Sequence, residues 1–505
     1  MAKKRISIAA MLSLFCLLSV VHGQDFDPNL HAKAMAYQEW IEAWHTGDLG
    51  GLSPSVAFTD ASRQEVACVH GIGDSTIWTG MYLGSQALRF MATGDPEAKA
   101  EVHRIATYCD AEMDITDTPG YIARYAARDV MPYNCGQVPG QGWRVEGKGK
   151  WEGYYWIDHT SRDQYSGWMW GMALAHQALA TGDPDDEAMR EVIRQDINAV
   201  IQMLVDNQWH ITDENGEWTG NNAHWIGPGK RLGWLILAAQ VNGDDPYYRD
   251  LLDQQYQAWK PAIPVDLFAG INKYDEYFGN NLRHLDLAGI FRYWPDRRRL
   301  LEWWGMHQDV NRPYVENTHN AWYDAVHVSG CLRLGVCDKE EFNALAADVS
   351  AGLAEFPGPP DTRVGVVPPE LPLDPFSVFM SDLLDRYPDL REIIDISPQT
   401  AVAHRVKDRC WDDMIWQRSP FSISCSLDED PTFAKGGFDY LVAYWMAVTY
   451  GLIPGPGPIA DAPLDGDGSG PGYGGDDDPP APAGDGDDRP QWASGHDGDD
   501  NPGCR

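Results

Sequence analysis

Gly80 to Leu88 reads GMYLGSQAL and Gly171 to Leu179 reads GMALAHQAL, and each stretch runs on into the same turn, TGDP, at Thr93 and at Thr181. A looser version, NGDDP, starts at Asn242. In such a turn the Asp caps the next helix and the Pro takes its first position, where the missing N–H is not needed. The stretch before each turn is apolar nearly all round, as in a helix buried on every side. The stretch after it, at 96–115 and 184–208, places charged and apolar residues at three- and four-residue spacing, as in a helix with one wet face. The unit is therefore a buried helix, a turn and an outer helix.

The same two textures alternate along the chain. Buried segments open with polar residues near 73, 163, 221, 279, 316 and 438, and amphipathic segments cover 28–47, 96–115, 184–208, 246–259, 296–308 and 338–355. Six such pairs arranged in a ring bury each inner helix against its neighbours. The reading predicts an all-α fold, an (α/α)6 toroid of six helical hairpins over 24–455, with the polar openings of the inner helices converging on one end.

The two ends of the chain differ from this body. Residues 1–23 have the charged start Lys3, Lys4, Arg5 and an apolar run to Val21, as in a signal peptide cleaved before Gln24, and no later stretch is apolar enough to span a membrane. From 456 to 505 the chain holds 12 Asp, 12 Gly and 9 Pro and has almost nothing to bury, which predicts a disordered tail. Eight cysteines remain outside the leader, and an even number in an exported chain favours disulfides. Cys331/Cys337, Cys410/Cys425 and Cys109/Cys135 are the local pairings to expect. A net charge of −36 repels a phosphate backbone and argues against nucleic-acid binding. The expectation is a secreted protein, extracellular or periplasmic.

Asn317 to Asp324 reads NTHNAWYD. It resembles the NNHGTWYD segment of alginate-lyase-type toroids among the six-hairpin carbohydrate-active enzymes, with Thr318 in place of the second Asn and Asn320 in place of the Gly. The resemblance implies that Asn317 and His319 neutralise a uronate carboxylate and assist proton transfer, since removing the proton next to that group builds negative charge on it. TGNNAHWIG adds Asn221, Asn222 and His224 at another helix start, and FGNNLRHLD adds Asn281, Arg283 and His284. A Tyr such as Tyr165 or Tyr440 would shuttle the proton.

Two carboxylates open the first two inner helices, Asp74 in GDSTIWTG and Asp163 in SRDQYSGW. The first resembles, more loosely, the DSxWxRG segment of unsaturated glucuronyl hydrolases, without its Arg. A carboxylate pair facing one cleft is what glycoside hydrolysis requires, although Gly-Asp-Ser equally suits a helix cap. Trp78, Trp168 and Trp322 lie near inner-helix starts, where a flat indole can pack against a sugar ring, and Arg418 stands on a loop before the last inner helix. The insert 115–162, with Tyr154, Tyr155, Trp156, Asp158 and His159, suits a lid or wall of the cleft. No phosphate loop, zincin motif, serine elbow or dinucleotide fingerprint occurs, and no metal or cofactor is expected. Three readings stay open: β-elimination at a uronate, hydrolysis by Asp74 and Asp163, and a glycan-binding toroid without catalysis.

Overall fold

The computed structural model describes residues 26–130, 135, 143–213, 217, 227–243, 245–264, 277–361, 366–392, 396–410, 414–422 and 432–457, all within the unit Met1–Gly466. In chain order the helices of ten residues or more are α1 (Pro28–Trp44), α2 (Ser75–Thr93), α3 (Pro96–Asp114), α4 (Arg162–Ala178), α5 (Pro184–Asp206), α6 (Pro228–Asn242) and α7 (Pro246–Trp259). They continue with α8 (Tyr277–Tyr293), α9 (Arg297–Met306), α10 (Ala321–Leu334), α11 (Lys339–Glu355), α12 (Pro375–Arg386) and α13 (Phe438–Thr449). The protein is predominantly helical, as the periodicity predicts.

Asp27, Asp95, Asp183, Asp245, Asp296 and Asp338 cap α1, α3, α5, α7, α9 and α11, each accepting a backbone N–H of the first turn. These helices bury one stripe. By contrast α2, α4, α6, α8, α10 and α13 are buried nearly all round. α2 packs on α4, α4 on α6, α6 on α8, α8 on α10, α10 on α13, and α13 back on α2. Lys33 of α1 donates to the carbonyls of Leu353 and Ala354 at 2.9 and 3.0 Å, joining the first outer helix to the end of the last.

The repeated glycines meet each other. A Cβ on Gly80 would lie 2.2 Å from the carbonyl oxygen of Gly167, and one on Gly171 would lie 2.1 Å from that of Gly80. Only glycine lets two helix backbones approach this closely, so the GM motif marks the seam between α2 and α4.

The turns from an inner to an outer helix, such as Gly94–Asp95 and Gly335–Asp338, are short, and they make each pair antiparallel. The connections in the other direction include 45–74, 115–161 and 356–437, and they gather at the N-terminal ends of the inner helices. Two small antiparallel sheets lie in them. β1 (Ser55–Phe58) is flanked by β2 (Val66–His70) and β6 (Phe433–Lys435), so the loop before α2 is sewn to the loop before α13. β5 (Tyr154–Ile157) is flanked by β3 (Tyr125–Arg128) and β4 (Arg144–Glu146). Strands of three to five residues are too short to show an alternating pattern in the sequence. No described helix is long and apolar enough to cross a membrane.

One disulfide expectation is corrected. Cys135 is bonded to Cys68, not to Cys109, and Cys109 is a buried free thiol on α3. Cys135 comes to β2 because its N–H also donates to the Val69 carbonyl at 2.8 Å. Cys331–Cys337 forms across the turn after α10 as expected. Cys410 is disulfide-bonded, and its expected partner Cys425 lies outside the described residues, as do residues 1–25 and those beyond 457.

Candidate active site at the inner-helix starts

Asp74 sits at the N-terminal boundary of α2, yet its side chain caps nothing. Its Oδ1 instead accepts from Gln164 Nε2 at 3.0 Å and from Arg124 Nη1 at 3.3 Å. Gln164, on the first turn of α4, uses its other end to accept the Ile77 N–H at 3.1 Å, which locks the starts of α2 and α4 together. Arg124 precedes β3. It donates from Nε to the His159 carbonyl at 2.6 Å and also to the Gly73 carbonyl.

Half of the Asp74 side chain (51%) is open to solvent, while protein crowds its remaining sides. That crowding, mainly through desolvation, raises its carboxyl above the usual carboxylate range. Arg124 opposes the shift and nearby Asp163 adds to it. Asp163 is the second residue of α4, 35% exposed, with Arg162 Nε 3.7 Å from its Oδ1 and no hydrogen-bond donor on that oxygen. Two carboxylates, one biased toward its protonated form, thus share the open end of the α2–α4 seam.

The remaining candidates separate into exposed and sealed. Asn317 is exposed, with φ 58°. His319 turns to an outer helix, its Nδ1 2.6 Å from Asp348 Oδ1 on α11. Thr318 is buried and donates to the Val315 carbonyl at 2.6 Å. Asn281 is fully buried and accepts from Trp322 Nε1 at 3.0 Å. His284 is fully buried, stacked on Tyr323 at 3.8 Å, with Nδ1 2.7 Å from the Asn280 carbonyl, and burial pushes its imidazole down to about 3. Arg283 is half-buried and donates to Asn280 Oδ1 at 3.0 Å. Arg418 is exposed on its loop.

The aromatic expectations require correction. Trp78, Trp168 and Trp322 are buried, and Trp168 donates to the Cys109 carbonyl at 3.2 Å, so none can offer a face to a ligand. Tyr165 is buried, its hydroxyl donating to the Gly120 carbonyl at 2.8 Å, and that of Tyr440 donates to the Leu30 carbonyl at 2.8 Å. Neither hydroxyl is free to shuttle a proton. Asn221, Asn222 and His224 lie outside the described residues.

Sequence reasoning missed Gln164, although it adjoins Asp163, and it missed Arg124, whose surroundings GYIARYAARD carry no local sign of a role. Two concavities of about 490 and 520 Å3 open beside the sheets, one lined by Trp44, His45, Tyr125 and Arg128, the other by Asp114, Lys150, Trp151 and Trp156. Neither contains Asp74 or Asp163. Among the described residues the group able to share a metal ion is Cys68, His70 and Cys135, and its two sulfurs are joined in the disulfide. No protein-family model matches the chain, and no curated protein or solved structure is significantly similar to it.

Proposed function

We propose that this chain is an exported carbohydrate-active enzyme built as an (α/α)6 toroid, and that it hydrolyses glycosidic bonds of a neutral glycan with Asp74 as general acid and Asp163 as its carboxylate partner. The observation that carries this reading is the pairing of Asp74 and Asp163 at the solvent-open start of the α2–α4 seam, where crowding by neighbouring protein, and secondarily Asp163, raise the Asp74 carboxyl against the pull of Arg124. A carboxyl biased toward its protonated form can give its proton to a leaving-group oxygen, while a second carboxyl on the same site activates water or attacks the anomeric carbon. Oδ1 of Asp74 already accepts two donors, which leaves Oδ2 to carry the proton. Gln164 and Arg124 set its orientation.

Closure of the buried helices from α13 back to α2, and the gathering of long loops at one end, support the toroid. Two disulfides support export. Elimination is the weaker reading, because the hydroxyls of Tyr165 and Tyr440 are committed to backbone carbonyls, His319 is held by Asp348, and a chain of net charge −36 repels polyanionic substrates. The test is incubation of the mature chain with glucans, mannans, xylans and uronate polymers, following new reducing ends and the ultraviolet absorbance of an unsaturated uronate. Reducing ends without absorbance are expected. Absorbance rising with the reducing ends would establish elimination instead, and silence on every polymer would favour the binding toroid.

A further inference from the structure

Trp143 is the tryptophan found among the exposed large apolar side chains of the described residues, at 45% relative exposure, whereas Trp78, Trp168, Trp170, Trp234 and Trp322 are fully buried. An exposed indole leaves apolar surface in water that burial would otherwise stabilise. This one is also held in place. Its carbonyl accepts the Asp158 N–H at 2.8 Å, and the chain then enters β4, where Arg144 pairs with Ile157 of β5. The Arg124 guanidinium stands 5.4 Å from the indole centroid, and the His159 ring stands 5.0 Å away at 46°. His159 adopts φ 58°, a left-handed conformation that a residue with a side chain rarely takes and that tends to be kept where function needs it.

Arg124 is the link to the chemistry, since the guanidinium beside the indole also donates to Asp74. The flat face is therefore one side chain away from the general acid. Arg124 is already engaged by Asp74 and two carbonyls, and Arg144, which follows Trp143 in the chain, by Asp129 and Glu146 at 2.8 Å each. An aromatic ring whose neighbouring guanidinium, that of Arg124, is already paired with Asp74 suits the C–H face of an uncharged sugar ring better than a uronate.

We infer that Trp143 is the platform on which a neutral sugar ring stacks next to the Asp74–Asp163 pair, with Arg124 and His159 packed against it. The inference rests on the hydrolytic reading for the identity of the reaction but not for binding. The experiment uses the mature chain with gluco-, manno- and xylo-hexaose as probes. Binding is measured calorimetrically in the Asp74→Asn protein, and turnover is measured in the protein with Asp74 intact. Trp143→Ala is expected to raise Kd and KM roughly three- to tenfold with kcat within about twofold, and Trp143→Phe should fall between. A thermal melt of each variant separates misfolding from lost contact. Unchanged Kd and KM in Trp143→Ala overturn the inference, as does failure of every hexaose to bind. Weakened binding in a protein that releases no reducing ends removes the hydrolytic reading and keeps the platform, whereas normal turnover with an indifferent Trp143 does the opposite.

Discussion

The α2–α4 seam and the α8–α10 seam are made from the same kind of helix, buried all round and opened by polar residues, yet they end differently. At the first, glycines bring the backbones into contact, and the polar starts Asp74 and Asp163 stay open to solvent. At the second, aromatic rings fill the space. Trp322 bonds Asn281, Tyr323 stacks on His284, and a Cβ on Gly330 would meet the rings of Phe291 and Trp304 at 2.8 Å. Asn281 and His284 are enclosed as a result. A polar helix start becomes a candidate site only where neighbouring side chains leave it uncovered.

The largest effect expected from this contrast is on turnover. Asp74→Asn should lower kcat by about 10²–10⁴, the usual worth of a general acid, while Asn317→Ala and His319→Ala stay within about threefold in release of reducing ends. The reverse ranking would move the chemistry to the α10 start.

The next effect is on stability, and it compares seams directly. Gly80→Val must force α2 and α4 apart and should cost more than about 4 kcal/mol, or prevent folding, in a thermal or denaturant melt. Gly233→Ala on α6 meets Asp286 only at 3.4 Å and should change stability by no more than about 1 kcal/mol. Equal costs would mean that the α2–α4 approach is not the tight one.

The two regions should also respond oppositely to pH. Beneath the α2 start, fully buried Glu112 accepts from Thr76 Oγ1 at 2.7 Å, and burial pushes its carboxyl up to about 8. The folded state holds that proton more tightly than the unfolded chain does, so the contribution is complete below about pH 4.5 and is lost as pH rises toward 8, by up to about 4 kcal/mol. His284, held down to about 3, behaves in reverse: its contribution is complete above about pH 6.5 and is lost as pH falls toward 3. Glu112→Gln should make the alkaline side of a denaturant-stability profile shallower, the remaining slope coming from Asp196, whose carboxyl burial also raises to about 8, and should leave the acid side intact. Loss of both sides would mean that the regions are coupled.

The smallest effect concerns Arg124, a positioning residue that acts through Asp74. Its charge lowers the Asp74 carboxyl, so Arg124→Gln should raise it and move the alkaline limb of the pH–rate profile to higher pH. A profile that drops in height without moving would assign Arg124 a purely structural role.

Helix positions were legible because their causes are local. The alternation of wet and dry segments and the Asp-Pro starts place most of the inner and outer helices within a few residues of Pro28–Trp44, Pro96–Asp114, Arg162–Ala178 and their counterparts. Asp74 and Asp163 could be singled out because each opens a buried segment. The errors share one cause, because Trp78, Trp168, Trp322, Tyr165 and Asn281 were placed by nearness to helix starts, and nearness in sequence says nothing of what covers a side chain.

The sequence by itself determined the period of each segment, the caps, the glycine repeat and the acidity, all set by interactions within a few residues. Only the tertiary structure decided which starts remain open, that Arg124 reaches back 50 residues to Asp74, that Trp143 stands exposed beside it, and that Cys135 bonds Cys68. Those outcomes depend on packing and desolvation between segments far apart in the chain, which no local pattern encodes.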